Sequence, residues 1–197
     1  MIKSKQDLKE YLEADKKALD IRNRKKPKLL HDVIWSYQIL LRKCEYYQNC
    51  RKDILGRLYC KYLKLKLVKR NHKLGFSIPL NVFDKGLSIA HYGTIVINAN
   101  ASVGEYCRLH EGVTIGVTGA DYKDRDGKDN AAKIGNRVFI ATGAKIIGRV
   151  TIADGVAIGA NSVVVKDILE PNTTWGGVPA KKISDKGSDD YIFGDEQ

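Results

Sequence analysis

A chain of 197 residues with 43% hydrophobic content, 29% charged content and a net charge of +11 has the composition of a globular protein with room for one sizeable core. Its longest apolar runs, such as those at 146–147 and 163–165, are far too short to cross a bilayer. The opening MIKSKQDLKEYLEADKK has no apolar signal core, so a cytoplasmic location without a membrane span is expected, with peripheral association left open. Cys44, Cys50, Cys60 and Cys107 form no CxxC pair, which argues against a zinc module or a disulfide framework and for free thiols.

Residues 1–73 contain one proline, Pro27, and one glycine, Gly56. Apolar residues recur there at helical spacing, as in Leu8 and Leu12, then Val33, Ile34, Tyr37, Leu40 and Leu41, then Ile54, Leu58, Leu63 and Leu65. This predicts helices near 5–20, 29–42 and 44–70, joined first by a basic linker, RNRKKPK, at 22–28. The segment holds 21 basic and 8 acidic residues and carries all of the chain's excess positive charge. Such a balance draws anions, but no aromatic–basic nucleic-acid motif accompanies it, so a solvated helical surface without specific nucleic-acid binding is expected.

From Leu74 the pattern changes. Seventeen of the 18 glycines follow, Val and Ile become dense, and a six-residue period appears. It runs INANAS, VGEYCR, LHEGVT, IGVTGA over 97–120 and resumes as IGNRVF, IATGAK, IIGRVT, IADGVA, IGANSV, VVKDIL over 134–169. Position one is Ile, Val or Leu in all ten units, and position five is mostly small or β-branched. An aliphatic residue every six places fills the inside of a coil wall, and a unit that cannot bury it alone must stack on its neighbours. The polar interruption DYKDRDGKDNAAK (121–133) is either a solvated insertion or an arm reaching a neighbouring subunit.

This repeat resembles the hexapeptide family of acyltransferases over about residues 76–183. Within that family it is similar to serine acetyltransferases and their relatives in surface-polysaccharide gene clusters. The likeness is carried by DKGLSIAHYGTIVIN (84–98), IGVTG (115–119), IGNRVFIATGAKIIG (134–148) and WGGVPAKKI (175–183), with a helical segment ahead of them. The resemblance implies a left-handed parallel β-helix at 74–183, an α-helical N-terminal domain at 1–73 and a tail at 184–197. It also implies acetyl-CoA as co-substrate and a homotrimer or multiple of trimers, with the coenzyme between adjacent coils.

The resemblance further makes His91, in its GLSIAH context, the general base. An imidazole suits that work because its pKa lies near neutrality. Coenzyme contacts are expected near Gly116, Thr118, Thr142 and Ala160, with Lys181 meeting a phosphate. Tyr92, Asn98 and His110 are acceptor-side candidates, and Asn81 is a further source of polar contact. On an 18-residue coil, Leu109 stacks over His91, so His91 and His110 are not expected to meet. A metal-dependent coil enzyme needs three His ligands. His91 and His110 are the two in the repeat region, so no resident metal is expected.

The chain departs from the serine enzymes at three matched places. Phe76 and Ala90 stand where they carry Asp, and Ala131-Ala132 where they carry His-Pro. These departures lead to the expectation of a sugar or nucleotide-sugar acceptor in surface-polysaccharide biosynthesis. Serine O-acetylation in cysteine biosynthesis is the alternative, and a non-catalytic scaffold is the third reading. They also leave open which group orients His91.

Overall fold

The computed structural model describes residues 1–21, 23–28, 31–119 and 130–192. Helix α1 spans Lys5–Ala18 and is started by Ser4, whose hydroxyl accepts from the Asp7 N–H at 3.0 Å. Helix α2 spans Val33–Cys50 and α3 spans Ile54–Leu74. The expected break near residue 43 is absent, and α2 runs on to Cys50. The chain turns instead at Arg51–Asp53, where the Asp53 carboxylate accepts from the Gly56 N–H at 2.9 Å and holds the Arg51 guanidinium at 2.8 Å. Gly75 ends α3 in the left-handed conformation, φ 77°.

Among the described residues fourteen short strands follow, and they visit three sheets in turn. One sheet joins β1 (Phe76–Ser77), β3 (Ile95–Ile97), β6 (Thr114–Gly116), β9 (Lys145–Ile147) and β12 (Val163–Val164). A second joins β4 (Ser102–Val103), β7 (Lys133–Ile134) and β10 (Thr151–Ile152). The third joins β2 (Ser88–Ile89), β5 (Arg108–Leu109), β8 (Phe139–Ile140), β11 (Ala157–Ile158), β13 (Thr174–Gly176) and β14 (Lys181–Ser184). All pairings are parallel except β13 with β14, so the chain forms a three-sided coil closed by one antiparallel strand. Residues 187–192, part of the expected tail, lie against the coil: the Ser188 N–H donates to Gly155 O at 2.9 Å.

The hexapeptide positions map directly onto this coil. Position-one residues stack in three internal columns, two of them extended by a residue from outside that position: Ile97, Ile115, Ile146, Val164; then Val103, Ile134, Ile152, followed by Ile168; then Leu109, Ile140, Ile158, preceded by Ile89. All are buried. Position-five residues Ala101, Cys107, Val113, Val138, Ala144, Val150, Val156 and Ser162 are buried too, because the corner they occupy leaves no room for a larger side chain.

A buried ion cluster joins the helices to the first coil. Arg42, with no exposure, holds Asp15 at 2.8 Å and Glu45 at 3.0 Å and donates to the carbonyls of Phe83 at 2.8 Å and Asp84 at 2.6 Å. Burial alone would lower the guanidinium pKa, but the two carboxylates outweigh it and raise it. Asp15 also accepts from the N–H groups of Gly86 and Leu87, both at 2.9 Å. Gln38 then donates to Leu87 O at 2.6 Å and accepts from the Ile89 N–H at 3.2 Å. Residues 83–89, which lead into His91, are thus bonded to α1 and α2. Among the described residues no helix is long and apolar enough to cross a membrane.

Candidate active site

The first coil is longer than a regular 18-residue turn. Ile97 pairs with Ile115, 18 residues on, but Ile89 pairs with Leu109, 20 residues on. The two additional residues lie in the corner between β2 and β3, which holds His91, Tyr92 and Gly93. Gly93 has φ 143°, its N–H donates to Leu74 O at 3.0 Å, and a Cβ there would stand 2.9 Å from Glu111 Cβ. The glycine lets the enlarged corner fold closely over the next coil while His91 and Tyr92 stay exposed.

This shift corrects the expected register. Leu109 lies beside Ile89, so His110 follows beside Ala90 and Glu111 beside His91. His91 and His110 do meet, edge to face, with ring centroids 5.5 Å apart. The same counting puts Thr142 and Ala160 in the column below, so that His91, Glu111, Thr142 and Ala160 descend one corner of the coil. Burial lowers the pKa of His110, with Arg108 and His91 adding to the effect and Glu111 opposing it. The carboxyl of Glu111 is held below its usual value, first by its own backbone N–H and, against a burial penalty, by Thr142 and the two imidazoles.

A cavity of about 310 Å³ opens between the helices and this corner, lined in part by Asp32, Trp35, Ile89, Ala90, His91 and Tyr92. Asp32 Oδ2 accepts from the Lys28 N–H at 2.7 Å and pairs with Arg24. Burial would raise the pKa of Asp32, but these donors together lower it, so the carboxylate is charged at neutral pH. Arg24 in turn lies 5.6 Å from the centroid of the Trp35 ring. A larger groove of about 390 Å³ between α2 and α3 is lined by Lys43, Lys66, Lys69 and Arg70. It holds no candidate base, so the site is assigned to the smaller cavity.

The remaining candidates lie apart. Asn98 and Gly116 stack at the next corner, joined by the Asn98 N–H bond to Ile115 O at 2.8 Å, with Thr118 just beyond. Lys181 is exposed on β14, at the other end of the third sheet from β2. Five strand spacings separate them, about 24 Å. Asn81 is bonded to Asn49 and Glu45 between helix and coil, away from His91. Most of the charged interruption, residues 121–129, lies outside the described residues. Glu111 was missed in the sequence, although its signal was there in the two-residue excess of the first coil.

Residues 131–166 match the family described as bacterial transferase hexapeptide (six repeats). A serine acetyltransferase of Synechococcus elongatus is 37% identical over 103 residues, 52% of this chain and 40% of the relative. One from Helicobacter pylori strain J99 is 39% identical over 100 residues, 51% of this chain and 55% of the relative. The chain thus spans about half the length of the curated relatives it matches. The crystal structure of Neisseria gonorrhoeae serine acetyltransferase in complex with serine superposes with a TM-score of 0.64 at 27% identity, covering 92% of this chain and 71% of that one.

These relatives overturn the expectation of a sugar acceptor and of a surface-polysaccharide subgroup, since those matched are named serine acetyltransferases. The structure accounts for two of the three departures, while the third, Ala90, does line the cavity. Phe76 and Ala131 are 5% and 3% exposed and packed in the core, so their lack of charge says nothing about the acceptor. Asp32, from the helical segment, is among the residues that line the cavity. The chain carries the hexapeptide repeat of bacterial transferases, and over about half its length it is similar in sequence to serine acetyltransferases.

Proposed function

We propose that this protein transfers the acetyl group of acetyl-CoA to the hydroxyl of L-serine, as in cysteine biosynthesis. The observation that carries this reading is the cavity that holds an exposed imidazole, His91, and a charged carboxylate, Asp32, in one space. A small amino acid needs both. Asp32 pairs with its ammonium, and Arg24, beside Asp32, offers a cation to its carboxylate.

His91 takes the proton from the serine hydroxyl as that oxygen attacks the thioester carbonyl. The tetrahedral adduct then collapses with cleavage of the carbon–sulfur bond, and the imidazolium returns its proton to the departing thiolate. The products are O-acetylserine and free CoA. In this reading the coil is left-handed, and the coenzyme lies along the column of Thr142 and Ala160 toward Lys181, which meets a phosphate. Gly116 and Thr118, at a different corner, reach the coenzyme from the coil of a neighbouring protomer, so the working unit is a homotrimer.

Thiol release from acetyl-CoA, followed with and without L-serine, tests this. A kcat/KM of at least about 10⁴ M⁻¹ s⁻¹ is expected, and His91→Ala lowers kcat by about two to four orders of magnitude. Serine-independent thiol release, or full turnover in His91→Ala, overturns the reading.

A further inference from the structure

We propose that His91, His110 and Glu111 together bind a divalent transition-metal ion of the zinc class. Each offers one ligand atom, and these atoms all lie within 4.8 Å of one another. The donors come from two adjacent turns of coil, brought side by side by the enlarged first corner. Two imidazoles and one carboxylate form a donor set that suits zinc, leaving further positions for water. Zinc bonds of about 2.1 Å place tetrahedral ligands about 3.4 Å apart. The needed closure is a side-chain rotation of His91, which is exposed.

Two further features point the same way. Glu111 Oε2 is buried and accepts no hydrogen bond among the described residues, and a carboxylate oxygen removed from water without a partner is costly. An ion between the two imidazoles and this carboxylate supplies that partner. The ring of His110 is also supported from behind. Thr142 Oγ1 lies 3.5 Å from His110 Nδ1, and Phe139 meets the ring edge to face at 5.3 Å with Tyr191 stacked on Phe139 at 4.3 Å. Such surroundings fix a ligating imidazole and shield one side of the metal from water. The sequence offered two histidines where a three-histidine site was sought, and the third ligand is the carboxylate next to the second.

An ion bound to His91 occupies the lone pair that would accept the serine proton, so a filled site is inactive in transfer. That consequence rests on His91 being the base; the binding itself does not. The test uses the full chain stripped with a chelator and titrated with Co²⁺, read by visible ligand-field absorption, and with Zn²⁺, read by calorimetry. One ion per chain is expected. His110→Ala and Glu111→Gln, each checked for native circular dichroism, bind at least about tenfold more weakly. In the wild type Zn²⁺ then suppresses acetyl transfer over the range in which it binds, and chelator restores it. No uptake up to millimolar ion, or undiminished uptake in both variants, overturns the site. Ion uptake lost in the variants, in a protein that never acetylates serine, keeps the site and rejects the proposed function. Acetylation without ion uptake does the reverse.

Discussion

At the scale of single residues, Asp32 distinguishes the serine reading from its rivals. It lies at the head of α2 but makes no side-chain bond to that helix. Its carboxylate bonds to Lys28 and Arg24 instead, and the residue lines the cavity that His91 also lines. Its loss should therefore cost substrate recognition more than helix stability. Asp32→Asn keeps the size and removes the charge, leaving the serine ammonium without its counter-charge. The expected outcome is a KM for L-serine raised at least about tenfold with a smaller change in the KM for acetyl-CoA, measured by steady-state kinetics. Equal changes in both constants would show that Asp32 acts through the fold.

The same residue shows where sequence reading stopped. The motif around His91 was legible because chemistry and spacing coincide there. Asp32 is one of the eight acidic residues of segment 1–73, and which of them lines a cavity with His91 depends on how α2 packs on the coil. Phe76 and Ala131 misled for a related reason. A matched position was read as a matched surface, whereas both side chains point into the core. Glu111 was hidden by two additional residues, which move the neighbour of His91 from Leu109 to Glu111 while leaving the facing of each side chain unchanged.

At the scale of elements, the six-residue period was legible almost unit by unit, since each aliphatic position is a column of the core. The helix boundaries were less so, because the break before α3 is set by Asp53 and Arg51 rather than by hydrophobic spacing. Least legible was the bond between helices and coil. Arg42, Asp15 and Glu45 read as surface charges on helices, yet all three are buried. Arg42→Ala leaves two carboxylates in the interior without their cation, a change worth about 3–5 kcal/mol. Thermal unfolding should fall by on the order of 10 °C. A loss of at most about 1 °C would show that the cluster contributes little. Since the same cluster fixes 83–89, turnover should also fall at temperatures where the variant remains folded.

At the scale of the whole molecule, the proposed coenzyme contacts fall at more than one corner of the coil. The column of His91, Glu111, Thr142 and Ala160 occupies one corner of the coil, while Gly116 and Thr118 occupy or follow the next. A coenzyme touching both sets needs two coils laid side by side, and a three-sided coil repeats that contact most simply around a three-fold axis. The protein should therefore sediment at three times its 22.0 kDa chain mass, or at a multiple of that. Mixing supplies the sharper test. Gly116→Trp blocks one side of the shared groove and His91→Ala disables the other, so each variant alone should be inactive. Unfolded and refolded together, they form some mixed trimers in which one groove carries neither change, and part of the activity returns. Activity in a sedimenting monomer, or no recovery from mixed trimers shown to form, would mean that each chain holds its whole site.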